Sequence, residues 1–145
     1  MTDIRLEREF KVGPERLFDF VTQRANVLQW FGYESFTFSD ERMDLSKLGA
    51  WFVDMLSDEG NRFKISGQVT HVDRPKSVGF TWGWHDQDDN RGPESHVVFT
   101  VVETASGARL IVDHRDLDDG ELASRHESGW TNALRRIGEG LAPKE

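Results

Sequence analysis

The sequence predicts an α+β fold: an antiparallel sheet of six to seven strands curled around one long C-terminal helix, with two short helices after the first strand. Three observations lead there. Apolar residues recur at every second position in short runs separated by turn residues. One extended apolar stripe at helical spacing occurs, at the end of the chain. A single amphipathic helix is too little to cover both faces of so large a sheet, so the sheet must curl around it.

Ile4, Leu6, Phe10 and Val12 alternate with Arg5, Glu7, Glu9 and Lys11, which reads as a strand with one wet face. Gly13-Pro14 breaks it, and Pro14 suits a first helical position, where its missing N–H would be unpaired anyway. Leu17, Phe18 and Val21 define one short helix and Val27, Leu28, Trp30 and Phe31 a second, together a small cap. From Gly32 to Leu48 the pattern supports one short strand around Phe36 to Phe38, then a charged loop. Trp51, Val53 and Met55 alternate with Phe52, Asp54 and Leu56, and the turn SDEGN leads into Phe63, Ile65 and Val69, a hairpin in which Gly67 marks a bulge or bend. After a turn at Arg74-Pro75-Lys76, Val78, Phe80, Trp82 and Trp84 fall on one side of a strand. Gly79 and Gly83 lie on the other side, as in a strand bent with its convex face outward.

HDQDDNRGP (85–93) is a long polar loop. Val97, Phe99 and Val101 oppose Val98, Thr100 and Val102, the segment from Thr104 to Gly107 turns, and Leu110 and Val112 belong to a last strand ending near His114. Leu122, Trp130, Ala133, Leu134, Ile137 and Leu141 form the terminal stripe, and Gly138-Glu139-Gly140 reads as its termination.

The 145 residues are enough for one domain with a real core, expected to span 1–145. A net charge of -8 opposes binding to nucleic acid or an anionic membrane. Ten Phe and five Trp against one Tyr make the large apolar groups mostly ones with no hydroxyl to satisfy. The absence of cysteine removes disulfides and thiolate chemistry. The charged start MTDIRLEREFKV offers no apolar run for a signal peptide or bilayer span, so a cytoplasmic location is expected. No GxSxG, Gly-rich phosphate loop, HExxH or dinucleotide fingerprint occurs, and His71, His85 and His96 share no metal-binding spacing, so neither cofactor nor metal is expected.

The candidate ligand wall comprises Trp51, Met55, Phe80, Trp82, Trp84, Phe99, Trp130 and Leu134. Packing alone would account for these residues: a buried Trp or Phe removes roughly 150–250 Å² from water, about 4–6 kcal/mol at ~25 cal/mol per Å². Trp84, nearest the strand end, is the better candidate for facing a ligand. His114 continues the inward side of Leu110 and Val112, and His126 lies on the helix stripe between Leu122 and Trp130. The pair would orient a polar ligand group or exchange a proton, or simply be hydrogen-bonded at the core's rim. Arg8, the only charge on the face of Leu6 and Phe10, would anchor a ligand carboxylate or else pack its stem and reach water with its head. Asp86, Asp88 and Asp89 read as a solvated loop and Asp118-Asp119 as a helix cap.

The segments REFKVGPERLFDFVT with Trp30 after it, Gly49 to Met55, SGQVTHVDRPKSVGFTW, HVVFTVVETASGARLIVDH and HESGWTNALRRIGEGL resemble, in order, the activator of heat-shock-chaperone ATPase (Aha-type) family of START-like, helix-grip domains, over nearly the whole chain. The resemblance implies a seven-stranded antiparallel sheet gripping a terminal helix, with a cavity that in relatives takes hydrophobic small molecules. Function differs widely across such folds. The expectation is a binding protein for a small hydrophobic or aromatic molecule. The alternatives are a module that touches a chaperone or stress partner through its acidic face, and an enzyme using His114 or His126 as acid or base.

Overall fold

The computed structural model describes residues 2–117 and 121–142. The elements are β1 (Thr2–Phe10), α1 (Pro14–Thr22), α2 (Arg24–Trp30), β2 (Thr37–Arg42), β3 (Gly49–Leu56), β4 (Arg62–Asp73), β5 (Ser77–Trp84), β6 (Ser95–Glu103), β7 (Ala108–Leu117) and α3 (Glu121–Leu141). The strands form one seven-stranded antiparallel sheet in the order β1-β7-β6-β5-β4-β3-β2. Strands β2 to β7 are a meander, and β1 returns to pair with the last of them, from Thr2 opposite Leu117 to Phe10 opposite Ala108. This is the helix-grip fold.

Pro14 opens α1, and the chain breaks at Gln23, whose extended backbone both ends α1 and starts α2. The break is held from the side: Trp30 of α2 donates its indole N–H to the Phe20 carbonyl at 3.0 Å. The terminal helix contacts β1, β7, α1 and α2, and α1 lies on β6 and β7. Helical cover is thus concentrated at the β1–β7 side.

At Gly67 the fold requires the missing side chain. A Cβ there would stand 2.0 Å from the Thr81 carbonyl oxygen and 2.7 Å from Trp51 Nε1. The space is used by Trp51, whose indole N–H crosses β4 to donate to that carbonyl at 3.0 Å, while Thr81 Oγ1 accepts the Gln68 N–H at 2.8 Å. Side chains thereby satisfy groups where the β4–β5 ladder opens. The register shift itself lies further on, between Val69 and His71. Gly79 and Gly83 are covered on the convex face by the His71 imidazole and the Arg91 guanidinium respectively.

Three boundaries depart from the sequence expectation. β2 reaches Arg42, and β7 continues past His114 to Leu117. Gly138 and Gly140 do not terminate α3, which runs to Leu141; they let it pack closely, since a Cβ on Gly140 would stand 2.5 Å from the Phe20 ring. The expected cap at Asp118-Asp119 and the side chain of Leu122 lie outside the described residues.

Candidate functional site

Because α3 leans toward β1 and β7, a cleft of about 710 Å³ remains between its N-terminal half, the β3–β5 part of the sheet and the segment after α2. The sheet contributes Met55, Phe63, Ile65, Trp82 and Trp84, the segment 30–36 contributes Trp30, Phe31, Tyr33 and Phe36, and α3 contributes His126, Gly129, Trp130 and Ala133. Ser95, Asp116, Ser124, Arg125 and Ser128 are among the polar residues of the lining. Ring contacts run along the wall: Tyr33 edge-on to Phe36, Phe36 stacked on Phe63 at 5.4 Å, Phe63 edge-on to Trp84, and Trp84 edge-on to Trp82. Offset and edge-on pairs of this kind stabilise a wall beyond its buried area.

At the floor, three indole N–H groups point at two imidazoles. Trp130 donates to His114 Nδ1 at 3.0 Å, while Trp82 and Trp84 both donate to His126 Nε2, at 3.2 and 2.9 Å. An indole N–H can only donate, so each receiving nitrogen is unprotonated and each ring carries its proton on the other nitrogen. For His114 that proton is on Nε2, which faces Ser95 Oγ at 2.8 Å, and the Ser95 hydroxyl donates onward to the Trp82 carbonyl at 3.3 Å. Burial, followed by the repulsion His126 would exert when protonated, lowers the pKa of His114 to about 3. Near neutral pH it is a fixed, uncharged imidazole.

Residues 11–142 match the family described as activator of Hsp90 ATPase homolog 1-like protein. The chain belongs to this family. Among solved structures, the AHSA1 protein of Silicibacter pomeroyi is 54% identical over 97% of both chains, with a TM-score of 0.92. A Chromobacterium violaceum protein is 17% identical over 99% of this chain and all (100%) of its own, TM-score 0.84. A Mycobacterium smegmatis protein is 21% identical, covering 99% and 92%, TM-score 0.81. These two share the fold. No curated protein matches the chain.

In this AHSA1-like chain the structure divides the sequence-derived ligand residues into three groups. Met55, Trp82, Trp84, His126 and Trp130 line the cleft. Trp51, Phe80, Phe99, His114 and Leu134 are buried but are not among its lining residues. They support the wall: Phe80 and Phe99 pack edge-on to each other, and Phe99 edge-on to Trp130. Arg8 is away from the cleft, since β1 packs along the later part of α3; its guanidinium donates to the Leu134 carbonyl at 3.3 Å and lies 5.5 Å from the Phe10 ring centroid. It stands at an exposed position of β1, outside the cleft lining.

Sequence reasoning missed Trp30, Phe31, Tyr33 and Phe36 as wall residues. The available signal was four aromatics in seven residues around Gly32, which takes a left-handed φ of 74° and turns the segment across the cleft. Among the described residues, no three His, Asp or Glu side chains converge as a metal site, and no helix is long and apolar enough to cross a membrane.

Proposed function

We propose that this protein binds a small, predominantly apolar molecule, flat enough to lie along aromatic rings, in the cleft between the sheet and the N-terminal half of α3. The observation that carries the reading is a cleft of about 710 Å³ walled by a continuous run of aromatic contacts, with a few polar side chains among the lining residues. Its size and lining have the character of small-molecule sites. With His114 committed on both nitrogens and His126 Nε2 taken by two indoles, the imidazoles hold the wall in shape. The reading therefore favours binding over acid–base turnover.

Four of the five tryptophans line the cleft, so occupancy should be visible in their emission. The test titrates fatty acids, flavonoids and polyketides while recording tryptophan emission and thermal melting. Binding is expected to move both signals, and Trp84→Leu to weaken it by roughly tenfold, the scale of one aromatic contact. If no compound moves either signal, the proposal fails.

A further inference from the structure

The convex face of the sheet carries a second constellation. Ser66 in β4 places its Oγ 2.7 Å from His85 Nε2, and His85 Nδ1 lies 3.0 Å from Asp89 Oδ1. An ionised carboxylate only accepts, so the imidazole proton is on Nδ1 and the free pair on Nε2 faces the Ser66 hydroxyl. Arg91 donates Nε to Ser66 Oγ at 3.1 Å and Nη2 to the Ser66 carbonyl at 2.9 Å, with Glu94 holding its Nη1 at 3.1 Å. The hydroxyl therefore receives a hydrogen bond from a cation and gives one to an imidazole that is itself oriented by a carboxylate.

The local chain is arranged to hold these groups. Phe52, Ser66 and Gly83 form one row across β3, β4 and β5. A Cβ on Gly83 would stand 2.6 Å from Arg91 Cζ, so the glycine lets the guanidinium lie against the strand. Asp86 accepts the N–H groups of Asp88 and Asn90 at 2.9 Å each, and Asp89, with a left-handed φ of 65°, directs its carboxylate to His85. Lys64 lies 3.3 Å and Arg62 3.8 Å from the same carboxylate oxygen, and the Lys64 hydrogen bond holds Asp89 below the usual carboxylate range.

We propose that Ser66 is an acylable nucleophile, with His85 its base and Asp89 positioning the imidazole, and that the site hydrolyses aryl esters of short carboxylic acids. In the first step His85 Nε2 takes the hydroxyl proton, Oγ bonds to the acyl carbon, and the carbonyl pair moves onto its oxygen beside the Arg91 charge. Collapse expels the aryloxide, which takes the proton from Nε2. Water then adds to the acyl carbon through the same base, and the carboxylic acid leaves as Oγ regains its proton. Half-buried Phe52, opposite Ser66 on the same face, offers the aryl group an apolar contact, and the open surface suits small substrates. This site is independent of cleft binding, because Ser66 points away from the face on which its neighbour Ile65 lines the cleft.

The full chain is incubated with 4-nitrophenyl acetate, and peptide mass mapping locates the acetyl group. Acetyl on the Ser66 peptide is expected, with nitrophenolate release roughly 10²-fold slower in Ser66→Ala and His85→Gln at unchanged melting. A fluorophosphonate probe on the unsubstituted chain maps the same residue without any variant. In Asp89→Asn, which leaves the imidazole without its orienting carboxylate, release should slow roughly tenfold at unchanged melting, and Asp89→Glu should restore it. Acetyl only on lysines or the N-terminus, or equal release from Ser66→Ala, overturns the nucleophile; unchanged release from Asp89→Asn removes Asp89 from its role.

Discussion

His114 shows how one buried side chain can tie fold to pH. Its surroundings complete a neutral ring and make no allowance for a second proton: Nδ1 already accepts from Trp130. The folded pKa, about 3, lies below the 6.5 of an exposed histidine. Between those values the unfolded chain takes up a proton that the folded chain refuses, so stability is fully present above pH 6.5 and declines as pH falls. The slope is roughly 1.4 kcal/mol per pH unit for one such group. Urea unfolding at pH 7 and pH 5 should therefore differ by about 2 kcal/mol more in the native sequence than in His114→Gln, whose amide can accept from Trp130 and donate to Ser95. Equal pH dependence in the two proteins would show that His114 titrates normally.

At the scale of elements, α3 does more than fill the sheet. Arg136 donates Nη1 to the Gly32 carbonyl at 2.7 Å and to that of Phe31 at 3.3 Å, and Nη2 to the Gln29 carbonyl at 2.9 Å. These are carbonyls at and just beyond the end of α2, which a helix leaves without internal partners. One guanidinium thus pins the segment that forms the cleft's aromatic side. Arg136→Met should cost about 1.5–3 kcal/mol, the range for hydrogen bonds to a charged group, and should speed hydrogen exchange at the Phe31 and Phe36 amides. Unchanged exchange there would mean the segment is held without Arg136, by its aromatics and by Asn132 and Arg135, which reach Gly32 and Glu34. Gly129 bears on the same cleft from α3: a Cβ would meet nothing within 4 Å, yet glycine inside a helix costs about 1 kcal/mol relative to alanine. Gly129→Ala should raise stability by roughly 0.5–1 kcal/mol by chemical unfolding while narrowing the cleft. A loss of stability would show that the space is not open.

For the molecule as a whole, an occupied cleft should act by mass action. A ligand at about 100 times its dissociation constant should add about 2.7 kcal/mol to unfolding, read as a concentration-dependent melting temperature. Ligand that quenches emission without moving the melt would be bound to the unfolded chain as well. Much of the architecture was legible in the sequence, because period-two alternation survives in every central strand and the α3 stripe stands alone at the chain's end. β2 was legible only in part: Phe38 alternates with exposed Ser39 and Asp40 rather than with a buried face, as befits a charged edge. Of the candidate site, periodicity reports which face a residue takes but not how deep it sits. Hence Trp51 and Met55, four residues apart on one face, end respectively behind the wall and on it. The 30–36 side escaped for a different reason: its direction is set by a turn, not by a repeat.

Pairing of β1 with β7 also orders the chain in time. During vectorial synthesis β1 emerges well before its partner β7, so it must wait while the meander and both short helices form. Its charges Asp3, Arg5, Glu7, Arg8 and Glu9 keep that waiting segment hydrated, and the sheet gains this edge only after β7 has been made.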